Sequence, residues 1–126
     1  SLRTSGLTPK QIGHIHAHGL GSHKSDAAEA QGIKEIFASH PDVPVTAAKS
    51  YFGNLGAGSG LVELIASILA LQHGRLFRTL NYDTPDPQCP VKVVTSADAS
   101  PGNNFINLSL TPQGQASAVV IQRYVA

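Results

Sequence analysis

Two short segments of this chain carry side chains suited to one kind of chemistry. The first is His14-Ile-His-Ala-His18-Gly19. The second begins thirty-one residues after His18 and reads Lys49-Ser50-x-x-Gly53-Asn54. An imidazole at 18 and a carboxamide at 54 can each donate a hydrogen bond to a carbonyl oxygen, and paired donors of that kind point to acyl transfer. An attacking group is harder to find. Cys89 lies between Gln88 and Pro90, with neither a helix N-terminus nor a cation beside it to favour the thiolate. No serine stands in a nucleophile elbow. The chain offers polarising groups without a nucleophile.

Other readings of the same residues are blander. His14, His16 and His18 alternate, so on a strand they share one face, and three imidazoles could bind zinc. Same-face residues lie about 7 Å apart in a line, which suits a tetrahedral ion poorly. His14 and His16 are therefore expected to be ordinary, partly buried strand residues, and no metal site is expected. The run Gly53 to Gly60 could cradle a phosphate or an oxyanion, or could allow a helix to pack closely on a strand. It lacks the lysine of a Walker motif and the spacing of a dinucleotide fingerprint. Lys49 ends an apolar strand and should be half-buried, with Glu29 or Glu63 as its carboxylate partner.

The elements that must position these groups can be read in order. Thr8-Pro9 opens a very short helix. Ile12 to His18 reads as a strand. Asp26-Ala-Ala-Glu29 has the form of a capping pair for a helix running to about Ser39, with Ala30, Ile33, Ile36 and Phe37 on one face. His40-Pro41 stops it. Val43 to Ala48 is a second strand. Leu61 to His73 is apolar nearly all round, which predicts a helix buried on most sides and ended by Gly74. Asn81 to Pro90, with three prolines, must be irregular. Val91 to Val94 is a short strand. Phe105 to Leu110 and Ser117 to Val125 form an antiparallel hairpin turned by Thr111-Pro-Gln-Gly114. The order β-α-β-α-β-β-β predicts an α/β fold with a mixed sheet of about five strands, the first two parallel through a crossover helix. In such a sheet both chemical segments reach one edge, where binding sites are built.

Composition narrows the function classes. The 126 residues make one domain, 1–126, large enough for a core. A net charge of +1 with scattered Lys and Arg leaves no basic patch for nucleic acid. No apolar run reaches membrane-spanning length, since Glu63 and Ser67 interrupt the longest. No signal peptide is visible, and a single cysteine favours a reducing, cytoplasmic setting. A charged fraction of only 13% suggests that much of the surface is covered by a partner or by the rest of a larger protein.

Taken together, these motifs resemble the C-terminal half of an elongating-type β-ketoacyl-acyl-carrier-protein synthase of the thiolase superfamily. The family's Ala-His-Gly-Thr-x-Thr segment, with Asp-x-x-Glu after it, matches Ala17-His18-Gly19-Leu20-Gly21-Ser22, then Asp26 and Glu29. Its Lys-Ser-x-x-Gly-His segment matches Lys49 to Asn54. Its Thr-x-Asn and Pro-Asp-Pro-x-Cys segments match Thr79, Asn81 and Pro85 to Cys89, and its closing strand matches at Arg123-Tyr124.

The resemblance implies a ketosynthase, an acyltransferase catalysing decarboxylative Claisen condensation of acyl and malonyl thioesters in fatty acid or polyketide synthesis. It implies a thiolase-like half-fold, with the nucleophilic cysteine on an N-terminal half absent from this chain, so that the chain alone is inactive. His18 and Asn54 would polarise the malonyl thioester, and Lys49 would orient the site through a charge pair with Glu29. No bound cofactor is implied. Substrate would arrive on the phosphopantetheine of an acyl carrier protein, with Ser22 as a contact, and the assembly would be a homo- or heterodimer. Three departures stand out. Asn54 replaces a second histidine, as in the initiating synthases of the superfamily. Leu20 and Ser22 replace threonines. Thr111 to Gly114 replaces an aromatic Gly-Phe-Gly-Gly gate. The first and last favour an alternative, a noncatalytic partner resembling a chain-length factor.

Overall fold

The computed structural model describes residues 1–126. Five strands, β1 (His14–His16), β2 (Pro44–Thr46), β3 (Lys92–Val93), β4 (Asn104–Leu110) and β5 (Ala116–Gln122), form one mixed sheet in the order β3-β2-β1-β4-β5. Four helices accompany them: α1 (Leu2–Ser5), α2 (His23–Ile36), α3 (Lys49–Phe52) and α4 (Ser59–His73). Single 3₁₀ turns stand at Pro9–Gln11 and Gly56–Gly58. Strands β1 and β2 are parallel through α2, and β4 and β5 form an antiparallel hairpin. No helix is long and apolar enough to cross a membrane.

The predicted order is present, with every strand but β4 shorter and two one-turn helices added. The larger difference lies at the start of α2. The helix begins at His23, with Ser22 rather than Asp26 at the N-cap. The Asp26 and Glu29 carboxylates turn away from the helix end and accept backbone N–H groups of the preceding loop, at Gly21 for Asp26 and at His18 and Gly19 for Glu29. Val43 to Ala48 also does not run on as strand to Lys49, because β2 stops at Thr46 and the chain coils into α3.

Because β1 is central and covered on both sides, its residues are buried without exception. The two sides differ in character. Toward α2 the packing is apolar: Ile15, Ala17, Val45 and Ile106 meet Ile33 and Phe37. Toward α4 it is polar. His14 and His16 point there, and both are fully buried. Ala48 N–H donates to His16 Nε2 at 3.1 Å, so the His16 proton must sit on Nδ1, which donates to Ser67 Oγ at 2.8 Å. The Ser67 hydroxyl then donates to His14 Nε2 at 3.0 Å, and His14 Nδ1–H donates to the Pro101 carbonyl at 2.8 Å. A backbone donor at one end and a backbone acceptor at the other fix both tautomers. Both rings are thereby uncharged and fully satisfied, and His14 also stacks on Phe105 at 4.9 Å.

Helix α4 does not meet the expectation of burial on most sides. Its inward face is Ser59, Glu63, Ser67, Ala70 and Leu71, while Leu61, Val62, Ile65 and Leu69 are exposed, Leu61 by 63%. The apolar face looks outward because the polar layer over β1 demands hydrogen-bonding partners, and Glu63 and Ser67 supply them. Four large apolar side chains are thus left uncovered on one helix.

The approach of β1 to the chain before β4 requires glycine. A Cβ on Gly13 would lie 2.4 Å from Pro101 O, and one on Gly102, at φ +67°, would lie 2.5 Å from Gly13 Cα. Gly102→Ala is expected to destabilise the fold by about 2 kcal/mol or more, whereas Gly32→Ala, in the open interior of α2, should stabilise by about 0.5–1 kcal/mol; paired urea denaturation curves check both.

Burial also pushes the His14 and His16 pKa values down from 6.5 to about 4 and about 3, against the pull of the Pro101 carbonyl on His14. A lowered native pKa means that the unfolded chain takes up protons first as the pH falls. The stability these rings contribute is complete above pH 6.5 and declines below it by about 1.4 kcal/mol per pH unit per ring until the native pKa is reached. Denaturant midpoints between pH 7.5 and 4.5 should fall steeply in the parent protein and less so in His14→Leu, even though that variant starts from a lower stability.

Candidate active site

His18 follows β1, beyond the point where Ala17 N–H donates to Thr46 O. Gly19 must follow it, since the chain turns there at φ +51° and a Cβ would lie 2.7 Å from Ala47 Cβ. The Glu29 carboxylate clamps this turn, accepting His18 N–H at 2.7 Å and Gly19 N–H at 3.0 Å. Burial pushes the Glu29 carboxyl up, opposed by those two N–H donors, with nearby Asp26 pushing in the same direction as burial.

Lys49 reaches the same turn from α3. Its ammonium donates to His18 O at 2.7 Å, to His18 Nδ1 at 3.2 Å and to Glu63 Oε1 in a buried ion pair. All three protons are used. The expected charge pair between Lys49 and Glu29 is not formed. The carboxylate that meets the ammonium is Glu63, one turn inside α4, because Glu29 is occupied with backbone N–H groups. Desolvation is the larger influence on Glu63 and pushes its carboxyl up, against the pull of Lys49. Contact with the ammonium compensates part of the cost of burying this carboxylate.

The contact at Nδ1 decides the state of His18. An ammonium can only donate, so Nδ1 is the acceptor and the ring proton sits on Nε2, which has no partner within the chain. Burial first, and then the Lys49 charge, lower the His18 pKa, while Asp26 raises it. The ring is therefore a neutral Nε2–H donor at neutral pH.

Asn54 is exposed just past α3, whose last residue is followed by Gly53 at φ 75°. Its Oδ1 accepts Gly56 N–H and the Ser59 hydroxyl, each at 3.1 Å, while Ser59 Oγ accepts Leu55 N–H at 2.8 Å. The carboxamide oxygen is used up and Nδ2 has no partner within the chain. Both residues singled out as carbonyl-polarising groups thus present N–H and no free acceptor.

A cleft of about 560 Å³ lies between α2, α3 and the irregular segment after α4. Glu29, Lys49 and Asn54 line it together with Gly19 and Leu20. His18 itself is buried and does not line the cleft; it contacts the wall through Lys49. Ser22 is half-buried at the α2 N-cap and is not on the wall, where Leu20 and His23 stand. Cys89 lines the same cleft, and burial, Asp86, Asp26 and Glu29 all push its thiol up, so it is held as an unreactive thiol. No group of three His, Cys, Asp or Glu side chains is placed to hold a metal ion. His14 and His16 are committed to Ser67 instead.

Sequence reasoning missed the joint role of Ser59, Glu63 and Ser67. They recur at every fourth residue in an otherwise apolar helix, and that spacing was the available signal for a shared polar face.

Comparison with known proteins identifies the family and the fold. Residues 1–83 match the family described as Beta-ketoacyl synthase, C-terminal domain. The chain is 41% identical over 90 residues to the mitochondrial 3-oxoacyl-[acyl-carrier-protein] synthase of Arabidopsis thaliana, which covers 69% of this chain and 20% of that protein. It is 34% identical over 95 residues to 3-oxoacyl-[acyl-carrier-protein] synthase 2 of Synechocystis, covering 75% and 23%. The chain thus spans a quarter or less of the curated relatives it matches. Among solved structures, the ishigamide ketosynthase/chain length factor superposes with a TM-score of 0.93 at 27% identity, over 99% of this chain and 31% of that one. A type II ketosynthase, in a complex with its acyl-carrier protein, gives 0.91 at 26%, over 98% and 31%. The sheet order, the His18–Lys49–Glu63 cluster and these matches lead to one assignment: the chain belongs to the β-ketoacyl synthase family, as a C-terminal domain with the thiolase-like fold.

Proposed function

We propose that this chain is the carbonyl-polarising part of a ketosynthase, an acyltransferase that condenses acyl and malonyl thioesters with loss of carbon dioxide. The observation that carries this reading is the forced tautomer of His18: Lys49 occupies Nδ1 and leaves Nε2–H to donate. Asn54, on the cleft wall with its oxygen taken by Gly56 and Ser59, would supply the second N–H donor, and His18, buried beside Lys49, the first. Two such donors would stabilise the negative charge that develops on the thioester oxygen as the carboxylate leaves. An amide serves there as well as an imidazole, because the step needs charge stabilisation and not a base. Lys49 and Glu29 act as positioning residues, one on the ring and one on the turn that carries it.

The nucleophilic cysteine would come from an N-terminal half of the fold. The exposed Leu61, Ile65 and Leu69 of α4 offer the face on which that half or a second ketosynthase-like subunit would pack. Substrate would arrive on the phosphopantetheine arm of an acyl carrier protein, entering the cleft past Gly19 and Leu20, with Ser22 the one hydroxyl of that turn. No bound cofactor is required. A cytoplasmic setting suits a soluble carrier and the free thiol of Cys89.

A second reading, a noncatalytic subunit resembling a chain-length factor, draws support from the β4–β5 turn. Thr111 to Gly114 closes a regular hairpin there without an aromatic residue. The residue at the nucleophile turn of the complete protein separates the two readings: cysteine supports catalysis, and glutamine or another inert residue supports the structural role.

Malonyl-carrier-protein decarboxylation by the complete protein tests the assignment. His18→Ala and Asn54→Ala should each lower the rate by about 10²–10³-fold, the usual cost of one lost oxyanion donor. Full activity in both variants would refute it. Lys49→Ala should lower the rate similarly and also destabilise the fold by about 3–5 kcal/mol, since it strands the Glu63 carboxylate.

A further inference from the structure

One buried array plays no part in the chemistry just described: the chain of hydrogen bonds from Ala48 N–H through His16, Ser67 and His14 to the Pro101 carbonyl. Its near end is placed where it matters. Ala48 is the N-cap of α3, and Lys49 is the first residue of that helix. Four residues are too few for a helix to hold itself in place, and no side chain of α3 caps its own N-terminus. Its backbone position is imposed from outside. Ala47 N–H donates to Thr79 Oγ1 at 3.2 Å, and Ala48 N–H donates to His16 Nε2 at 3.1 Å.

Helix α4 completes the arrangement. Glu63 and Ser67 are four residues apart and share its inward face. Glu63 grips the Lys49 side chain. Ser67 grips the Lys49 backbone indirectly, through His16 and the Ala48 amide. One rigid helix thus holds both ends of the lysine that sets the His18 tautomer. His16 can fill this role only as a neutral ring with its proton on Nδ1, because Nε2 must accept from Ala48. The Ser67–His14–Pro101 continuation gives that proton a partner and keeps every donor in the array satisfied.

We infer that His16 is a positioning residue which, with Ser67, anchors the amide preceding Lys49 and so fixes the lysine that places the proton on Nε2 of His18. The consequence for catalysis rests on the proposed role of His18 as a carbonyl-polarising donor, whereas the consequence for the tautomer does not.

The test uses the complete protein labelled with ¹⁵N-histidine, comparing the parent with His16→Leu, His16→Gln and Ser67→Ala. In the parent the His18 shifts should report a protonated Nε2 and a bare Nδ1. In His16→Leu the Nε2–H fraction should drop, and the malonyl decarboxylation kcat should fall about 10- to 100-fold, as expected for a displaced positioning group, with KM changed by less than about twofold. His16→Gln should recover most of both, since its amide can accept from Ala48 and donate to Ser67. Ser67→Ala should move both readouts in the same direction as His16→Leu. A folded His16→Leu with parental His18 shifts overturns the inference. If His16→Leu does not fold, unchanged His18 shifts in Ser67→Ala overturn it. A parent that shows the expected shifts but no turnover sinks the functional reading, while the ¹⁵N shifts of the variants still decide this one.

Discussion

The state of His18 leads back to the Lys49 ammonium. It is buried, it has three protons, and three acceptors surround it: a carboxylate on α4, the backbone oxygen of His18 and the unprotonated ring nitrogen of the same residue. A buried cation is tolerable only when all its donors are matched. That requirement ties together three pieces of chain that are far apart in sequence. It also makes the imidazole state a matter of geometry, since a neighbour that can only donate leaves Nδ1 a single role. The chemistry proposed for His18 follows from the solvation needs of a lysine.

The sheet is built to supply that environment. Its α2 side is an apolar core built on Ile33 and Phe37 as the sequence suggested, except that Ile36, expected on the same face, is 60% exposed. The α4 side is a layer of imidazole, hydroxyl and carboxylate groups: the His16–Ser67–His14 array closes on backbone groups at both ends, while the second carboxylate oxygen of Glu63 is left without a partner. Such a layer costs more than an apolar one if any member is left unmatched, but when closed it allows little alternative arrangement. The polar layer also explains why α4 turns its leucines and isoleucines away from the sheet. Hydrophobicity does not set the orientation of this helix; the demand of His14, His16 and Lys49 for partners does.

The order of the large elements, the parallel β1–β2 pair and the closing hairpin were legible in the sequence, because aliphatic period and turn residues report them locally. The prominence of His18, Lys49 and Asn54 was also legible, from glycine spacing and family resemblance. Other features were not. The choice between Glu29 and Glu63 as the lysine partner depends on which carboxylate the backbone N–H groups of 18 and 19 capture, and that contact forms only when the turn after β1 closes. The start of α2 at Ser22 in place of Asp26 has the same cause. Helix α3 is a single turn held by Thr79 and His16, neither of which is a neighbour in sequence. The joint role of His14 and His16 required Ser67, 53 and 51 residues further along, to be seen between them.

The outward apolar face of α4 has a consequence for the life of the polypeptide in a cell. Leu61 and Ile65 stand in water at 63% and 48% of their full exposure, in the company of Val62 and Leu69. An exposed apolar stripe of this kind is an aggregation hazard in water until other protein surface covers it. Covering these side chains, whether by the rest of the same polypeptide or by another chain, removes that hazard and adds buried apolar area.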